Sequence, residues 1–456
     1  MTSETRGTRS VSTTALTNLT LAGLGTVTGV IAARLLGPAG RGELAAVQLW
    51  PIFLGGLAAL GLPAAVVYFA AGRPEQSGQL LSNAMVVGLA TSIVIGTVGA
   101  VTAPHLLGKY SAEARSASRL LFLTLPLYTL GGTPLEALRG IGRVGAWNML
   151  RLTAPLLWLA VLASSWATGN HHLRFIALGI AISSAVPLAV GTVVATRYAT
   201  RPFRPTASLM QPMFRFGFPG LLTTIPQALN LRLDQMLLVT VVSSDRLGLY
   251  VAAVAWSSLP AAALSSLGMV VFPKLASEPN VAKRRDLLLR TLRLALGGSV
   301  ALTVTSAVLT PIALPLLFGE RFRAAIAPAL VLVFAGGVLA WSMVIEDGFR
   351  GLGMPKVPLF AQLGGLVVTV LLLVLLIGGF DITGAAVASL GGYGTSALVS
   401  ATRLRARFSV GWRELLVPRR SDLPKRTPTS HLEVGRNPPW PPPSVEHAAP
   451  RREEAL

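Results

Sequence analysis

A succession of long apolar runs constrains this sequence more than any other feature. Each run is about 20 residues long, the length of helix that crosses a hydrocarbon core about 30 Å thick. Only 13% of the 456 residues are charged, whereas a soluble chain carries about 25%. The sequence therefore predicts an all-α integral membrane protein with about twelve spans. The predicted spans cover residues 11–36, 44–71, 80–104, 117–138, 147–168, 175–196, 213–242, 247–273, 291–317, 326–349, 357–379 and 383–402.

The polar segments between the runs give the predicted domain organisation. A polar N-terminus (1–10) precedes a first lobe of six spans (11–196), a linker (197–212) and a second lobe of six spans (213–402). The remainder, 403–456, is basic and rich in proline, a composition typical of a disordered tail. The first apolar run is too long for the core of a signal peptide, so it is interpreted as a span.

The formal net charge of +20 is carried largely by connections between spans and by the tail. This placement favours contact with anionic lipid headgroups, and nucleic acid is not an expected partner. Lys and Arg are in excess on the side that holds both termini, even before the tail is counted. Since cytoplasmic loops retain cations, both termini are predicted to be cytoplasmic in a multi-pass cytoplasmic (inner) membrane protein.

Several classes of chemistry find no support in the residues. The chain has no cysteine, which excludes disulfides, thiolate metal sites and cysteine nucleophiles. Its five histidines lie in short predicted loops or in the tail, and no nucleophile–base pair or phosphate-cradling glycine loop occurs. We therefore predict a protein that is not an enzyme, with no catalytic residue, metal or cofactor.

The two halves of the sequence resemble each other. The segment Glu136–Gly142 (EALRGIG) matches Asp347–Gly353 (DGFRGLG) at an offset of 211 residues, and Gly42 matches Gly248 at an offset of 206. Each repeat holds six spans, an even number, so the repeats enter the membrane from the same side and are parallel. Two six-helix lobes of this kind leave a central cleft where cargo binds.

Polar residues follow one face of the seventh predicted span. They are spaced four, three and four residues apart, which places them on one side of a helix. These residues are Thr223, Gln227, Asn230 and Asp234. Because a polar stripe facing lipid is costly, we expect it to face a water-filled cleft and to meet substrate or an ion. Asn18 and Thr28 form a weaker stripe on the first span.

Arginines near span ends are candidate phosphate contacts, because a planar guanidinium grips phosphate with two parallel hydrogen bonds. If the cleft holds a diphosphate, the candidates are Arg34, Arg151, Arg215 and Arg232. The alternative for the first three is a role as topology cations. Arg232, two residues before Asp234, points to the opposite side of its helix, and a structural interhelical pair is the alternative for it.

Acidic and basic residues pair at spacing i,i+3 within the repeated motif, as Glu136 with Arg139 and Asp347 with Arg350. Such pairs stabilise helix ends. A structural role at the cytoplasmic helix ends is favoured, and a candidate cytoplasmic latch between lobes is the functional alternative.

Four segments carry a resemblance to a known family. They are Arg34–Ala45 (RLLGPAGRGELA), Leu231–Leu238 (LRLDQMLL), Leu247–Tyr250 (LGLY) and Phe272–Ala276 (FPKLA). In their order and spacing the chain resembles polysaccharide flippases of the Wzx type, which belong to the MOP superfamily together with MATE exporters and MurJ. The resemblance runs over about residues 11–400.

The resemblance implies a V-shaped pair of six-helix lobes, with a V-shaped central cleft, that alternates between inward-open and outward-open states. It implies cargo that is an undecaprenyl-pyrophosphate-linked oligosaccharide, passed from the inner to the outer leaflet, and leaves room for other polysaccharide-assembly proteins as partners. MurJ-like members of the superfamily have fourteen spans. The twelve spans predicted here therefore disfavour lipid II as the cargo. Whether Na⁺ or H⁺ is coupled to transport is open, and Asp234 is the residue expected to bind it.

Two other functions compete with the flippase hypothesis. A MATE-like multidrug exporter driven by a cation would need an acidic, aromatic-lined cleft, yet aromatic residues make up 7% of the chain. A membrane-embedded polysaccharide polymerase or ligase would need a sizeable outer loop with acid–base groups, and the predicted outer loops are short.

Overall fold

The computed structural model describes residues 3–258 and 279–417, together with Arg419 and Asp422. Among these residues the regular secondary structure is helical, with no strand. Seven helical stretches are long and apolar enough to cross a membrane, and two of them, 57 and 53 residues long, can each cross it twice. The predicted all-α membrane architecture is therefore confirmed.

Eight α-helices form the first half. They are α1 (Ser3–Ala58), α2 (Leu62–Gly72), α3 (Ser77–Leu106), α4 (Ala112–Leu123), α5 (Leu125–Gly140), α6 (Val144–Arg151), α7 (Thr153–Thr168) and α8 (Leu173–Tyr198). Helix α1 turns sharply at Gly37, with φ 66° and ψ −177°, so it contains the first predicted span and most of the second. The fourth and fifth predicted spans are each divided, at Thr124 and at Leu152.

The described helices of the second half begin with the seventh predicted span. They are α9 (Ala207–Asn230), α10 (Leu233–Val241), α11 (Ser244–Ser257), α12 (Val281–Phe318), α13 (Ile326–Gly351), α14 (Lys356–Phe408) and α15 (Trp412–Leu416). Helix α14 bends at Asp381 (φ 51°, ψ −136°) and so holds the last two predicted spans. Beyond Ser258, the eighth predicted span and the Phe272–Ala276 motif lie outside the described residues.

The seventh span breaks later than its sequence suggests. Pro226 is the expected kink, since proline lacks the amide hydrogen of the helix ladder. The helix instead continues to Asn230, and the break falls at Leu231 and Arg232, where Arg232 has φ −135° and ψ −11°. Asn230 and Asp234 therefore belong to different helices, α9 and α10, and the regular phase of a single helix does not connect them.

The connections between helices gather at two ends of the bundle. One end of the bundle, which we call the terminal side, is the end where α3 begins and α8 ends. There, the hydroxyl of Ser77 at the start of α3 accepts a hydrogen bond from the amide of Thr200, which follows α8. On the opposite end, the far side, Lys109 donates to the carbonyl of Val241 and Glu43 accepts from the Ser111 hydroxyl. Helices α1 and α11 meet across the two halves on the far side, where Gly42 packs against Gly248.

The repeated motif has the same local structure in both halves. Its last glycine, Gly142 or Gly353, has a left-handed φ of 78° or 73°, a conformation that glycine adopts without steric cost and that ends a helix. The following amide closes the same hydrogen bond in each repeat, from Arg143 to Leu138 and from Met354 to Phe349, at 2.8 and 2.9 Å. The sequence match therefore reflects one helix ending used twice.

Ordered structure extends past residue 402, where the predicted tail begins. Helix α14 continues to Phe408, and the short helix α15 packs Leu415 into an apolar cluster with Leu288 and Leu404. Asp422 forms a paired hydrogen bond with the buried Arg293 guanidinium, at 2.6 Å for each contact. The rest of the predicted tail lies outside the described residues, apart from Arg419.

Candidate substrate cleft

Two cavities lie where helices of the two halves meet. The first cavity, of about 740 Å³, is lined mainly by the first half and by Arg232 of the second. The second, of about 380 Å³, is lined mainly by the second half and by Arg41 of the first. Arg232 lines both, because the helix break projects it between the halves. The two cavities therefore adjoin at Arg232, and each includes one residue of the other half in its lining. We call the two cavities together the cleft.

The first cavity presents positive charge among polar and aromatic side chains. Arg151 and Arg232 line it, and no Asp or Glu occurs among its described lining residues. Its uncharged polar and aromatic lining consists of Thr28, Gln48, Tyr128, Trp158, Ser183 and Ser184. Such a lining suits an anionic group with polar substituents.

Arg151 has hydrogen-bonding capacity to spare. Its guanidinium carbon lies 4.4 Å from the centroid of the Trp147 ring, which holds the planar group in place. Its Nη1 atom is buried and has no hydrogen-bond partner within the described structure. Since Nη1 has almost no accessible surface, other atoms of the Arg151 side chain line the cavity.

Asp234 lies at the edge of the second cavity and is tightly held. Its carboxylate accepts hydrogen bonds from the Tyr250 hydroxyl at 2.6 Å, the Ser389 hydroxyl at 2.9 Å and the Gln235 amide at 2.7 Å. Only 2% of the residue is exposed. Asp234 thus links α10 to α11 and α14, in the same cavity as Arg41 and Arg232.

The other members of the predicted stripe lie in different surroundings. Asn230 is buried, donates to Gln362 at 3.0 Å and accepts from Thr369 at 3.1 Å. Gln227 accepts a hydrogen bond from Arg350, and Thr223 is exposed and bonds the carbonyl of its own helix at Gly220. The structure does not bring the four side chains together around one cavity, and of the four only Asp234 lines either cleft cavity.

The stripe of the first span is also divided. Thr28 lines the first cavity, is 4% exposed, and bonds the carbonyl of Leu24 at 2.8 Å. Asn18 lies on the same helix, is partly buried, and is not among the residues that line the cleft cavities.

Two of the candidate phosphate contacts lie away from the cavities. Arg34 donates to the carbonyl oxygens of Leu317 and Leu316, at the far-side end of α12. It therefore caps a helix of the opposite lobe, where a cation is favourable. Arg215 is exposed on α9 and does not line either cavity. The cleft brings together Arg151, Arg232 and Arg41.

The charge pairs of the repeated motif stay within their own lobes. Arg139 lies 3.3 Å from Glu136, whose other oxygen accepts from the Trp147 indole. Arg350 lies 2.7 Å from Asp347 and reaches Gln227 of α9 at 3.3 Å. In this structure the four charged residues fasten helices on the terminal side and do not tie one lobe to the other.

The sequence prediction passed over two residues that the structure makes prominent. Arg41, in the predicted connection between the first two spans, lines the second cavity. Glu346, near the end of the tenth predicted span, has none of its surface exposed. Arg41 directly precedes Gly42, the residue of the lobe contact, and this position was the one available signal.

Solved structures share this architecture. A multidrug resistance MATE family transporter of the MOP superfamily in an inward-facing conformation superposes with a TM-score of 0.70 and 16% identity, covering 87% of this chain and 98% of that one. The lipid II flippase MurJ in an inward closed conformation superposes with a TM-score of 0.72 and 13% identity, covering 88% of each chain. At these identities the likeness shows the fold.

A third solved structure is described by the polarity of its binding pocket. It is a MOP superfamily transporter from Pyrococcus furiosus Vc1 (DSM3638), described as having a binding pocket of reverse polarity that suggests a different function. It superposes with a TM-score of 0.62 and 16% identity, covering 87% of this chain and 93% of that one. No curated protein sequence matches the chain.

The family is decided by sequence. Residues 8–277, more than half of the chain, match the family model described as polysaccharide biosynthesis protein. The match agrees with the predicted resemblance to polysaccharide flippases, and the solved structures show that the chain has the fold of MATE and MurJ transporters. The chain belongs to the polysaccharide biosynthesis protein family, built on the fold of MATE and MurJ transporters.

Proposed function

We propose that this protein is an alternating-access flippase that moves an undecaprenyl-pyrophosphate-linked oligosaccharide from the inner to the outer leaflet. The observation that carries the proposal is the first cavity, where Arg151 and Arg232 face a space of about 740 Å³ without a lining acid among the described residues. Arg151, which lines this cavity and stacks on Trp147, supplies guanidinium donors for a phosphate oxygen.

The physical problem that such a protein solves is the hydration of the headgroup. A sugar diphosphate cannot cross hydrocarbon unaided, because its polar atoms would lose water without replacement partners. The cleft arginines and hydroxyls replace that water while the prenyl chain remains in lipid. A membrane potential that is negative inside favours outward movement of the anion by about 2.3 kcal/mol per charge per 100 mV.

In this proposal the terminal side is cytoplasmic, in keeping with the excess of Lys and Arg there. The far-side contact of Gly42 with Gly248 keeps the cleft closed toward the outer leaflet. Outward release requires the lobes to part at that contact. The arginines argue against an organic-cation exporter, because a cation in the first cavity would be desolvated beside two guanidinium groups.

The test uses purified protein in vesicles that contain a fluorescent polyprenyl-diphosphate-linked sugar. Wild-type protein should expose inner-leaflet lipid to an external quencher, and Arg151→Ala or Arg232→Ala should slow this about tenfold to a hundredfold. That range corresponds to about 1.5–3 kcal/mol for hydrogen bonds to a charged group. Arg323→Ala, an arginine whose side chain is 70% exposed, is the matched control.

A parallel assay with a fluorescent organic cation separates the two transport hypotheses. Transport of the cation with no movement of the lipid would overturn the flippase proposal in favour of an exporter. Equal lipid transport by wild type and by both cleft variants would remove the arginines from the mechanism.

A further inference from the structure

Glu346 is a fully buried carboxyl group with one incompletely satisfied oxygen. It lies on α13 inside the second lobe and is 0% exposed. Its Oε1 atom accepts hydrogen bonds from Gln362 at 2.7 Å and from Ser342 at 3.2 Å. Its Oε2 atom is buried without a hydrogen-bond partner within the described structure. An ionised carboxylate in this position is poorly compensated, because burial removes water that its second oxygen would otherwise bind.

The charged groups that face Glu346 both come from its own helix. Arg350 places Nη2 3.6 Å from Oε2, and the same guanidinium lies 2.7 Å from Asp347. Helix α14 contributes the neutral Gln362, and α12 contributes leucines, including Leu288, to the apolar cluster around α13. Arg350 is thus shared between two carboxylates and does not fully neutralise the buried one.

Two hydrogen bonds join this site to the broken seventh span. Gln362 donates its amide nitrogen to Glu346 and uses its amide oxygen to accept from Asn230, the last residue of α9. Arg350 donates to Gln227, one turn earlier on α9. Gln227 and Asn230, which the sequence pattern assigns to the cleft, therefore hold α9 against Arg350 and, through Gln362, against Glu346.

The proton count at Glu346 decides whether this arrangement holds. A carboxylate only accepts hydrogen bonds, so it requires the amide nitrogen of Gln362 to point toward it. When a proton from water on the terminal side adds to the carboxylate, the neutral acid becomes a donor and needs an acceptor. The proton adds to Oε2, which has no hydrogen-bond partner, so Oε1 keeps its bonds from Gln362 and Ser342 and the new donor lies beside Nη2 of Arg350. Since two facing donors repel, Arg350 shifts toward Asp347 and away from Gln227, the contact that it makes with α9.

We propose that Glu346 is a proton-binding site that controls how α9 docks onto the second lobe, and through it the position of Arg232. Asn230 ends α9, and the break that follows projects Arg232 between the two cavities. Proton uptake adds one positive charge to the site and loosens α9, whereas proton release fastens it. The proposal does not depend on the identity of the cargo.

The first test detects the proton directly in full-length protein in lipid nanodiscs. Infrared difference spectra taken as the pH is raised should show loss of a buried carboxylic acid band in wild type. Glu346→Gln should lack this band, and Asp347→Asn, which alters the neighbouring half-buried acid, should keep it. Asp234→Asn identifies any contribution from the other buried acid. A band that is unchanged in Glu346→Gln would overturn the proton site.

The second test measures the docking of α9. The chain has no cysteine, so spin labels at Thr223→Cys on α9 and Leu398→Cys on α14, both exposed, need no background mutations. Wild type should show a second distance between the labels, and the fraction of molecules at that distance should increase as pH falls. Glu346→Gln should show the second distance at every pH. A distance in wild type that does not change with pH would overturn the control of docking, even if Glu346→Gln failed to fold.

Discussion

Gly42 and Gly248, which occupy equivalent positions in the two repeats, pack against each other across the lobe contact. A Cβ atom on Gly42 would lie 1.8 Å from the carbonyl oxygen of Ser244, and one on Gly248 would lie 1.9 Å from that of Pro38. Pro38 and Ser244 are themselves related by the same offset of 206 residues. The contact is therefore reciprocal, as a two-fold relation between lobes requires.

Alanine at either glycine should force the far-side contact apart. We expect Gly42→Ala and Gly248→Ala to favour separated lobes, because the added methyl group meets backbone rather than a movable side chain. Overpacking of this kind costs about 1–3 kcal/mol. Spin labels at the exposed Val98→Cys and Val308→Cys, one in each lobe, should report a longer distance. Gly56→Ala, where a Cβ meets nothing within 4 Å, is the control and should leave the distance unchanged.

Arg34 should act as a tie between lobes rather than as a phosphate ligand. Arg34→Ala removes hydrogen bonds to the carbonyls of Leu316 and Leu317, which we expect to shift the lobes toward far-side opening. Such bonds contribute about 1.5–3 kcal/mol each at most, because they involve a charged group. The same label pair measures the shift. Arg246→Ala, which breaks an ion pair with Asp381 inside the second lobe, should not reproduce it.

Arg151 should need its planar shape as well as its charge. In Arg151→Lys the charge persists, but the paired donors and the stacking on Trp147 are lost. We expect inorganic diphosphate to inhibit lipid transport several-fold more weakly in this variant, with a smaller defect than in Arg151→Ala. Arg143→Lys alters an arginine stacked on Tyr198 that is not among the cavity-lining residues and should behave as wild type. Equal inhibition by diphosphate in wild type, Arg151→Lys and Arg143→Lys would contradict a phosphate contact by Arg151.

The docking of α15 and of Asp422 onto the second lobe should resist mild acid. Hydrogen bonds from the Arg293 guanidinium hold the pKa of the Asp422 carboxyl below its usual value. A lowered pKa in the folded state stabilises the docking above the unfolded value of about 3.9, and that stabilisation is lost as pH falls through the lowered pKa. Amide exchange of α15 should therefore stay slow at neutral and mildly acidic pH and speed up only below about pH 4.

The same pair gives a mutational prediction. Asp422→Asn leaves the Arg293 guanidinium buried without its counter-charge, a change that costs about 3–5 kcal/mol in buried pairs. We expect faster amide exchange in α15 and in the first turns of α12. Glu414→Gln is the matched control, because the Glu414 side chain pairs with Arg285 near the surface and only its backbone carbonyl contacts Arg293. A similar effect of both variants would argue against the buried pair.

Much of the fold was predictable because it depends on local properties of the chain. Apolar runs long enough to span the hydrocarbon core predicted the membrane helices. The repeated motif predicted two related halves, and its glycines, Gly142 and Gly353, end their helices in the same left-handed conformation. The predicted domain boundaries and the cytoplasmic position of the termini stay predictions.

The candidate site was less predictable, because side-chain direction depends on where helices break and meet. The periodic argument for Gln227, Asn230 and Asp234 assumed one continuous helix, whereas the break at Leu231 and Arg232 resets the phase. The sequence does not distinguish Arg34 from Arg41, because both lie near the end of the first predicted span. One caps the opposite lobe and the other lines a cavity.

By itself the sequence determined that this protein is helical, lies in a membrane and is built from two related halves. The reason is that the length of an apolar run and the helix-ending conformation of a glycine are local properties of the chain. Only the tertiary structure decided which polar groups face the cleft. That choice is made by long-range packing, in which the contact of Gly42 with Gly248 brings the lobes together and the break before Leu233 projects Arg232 into the space between them.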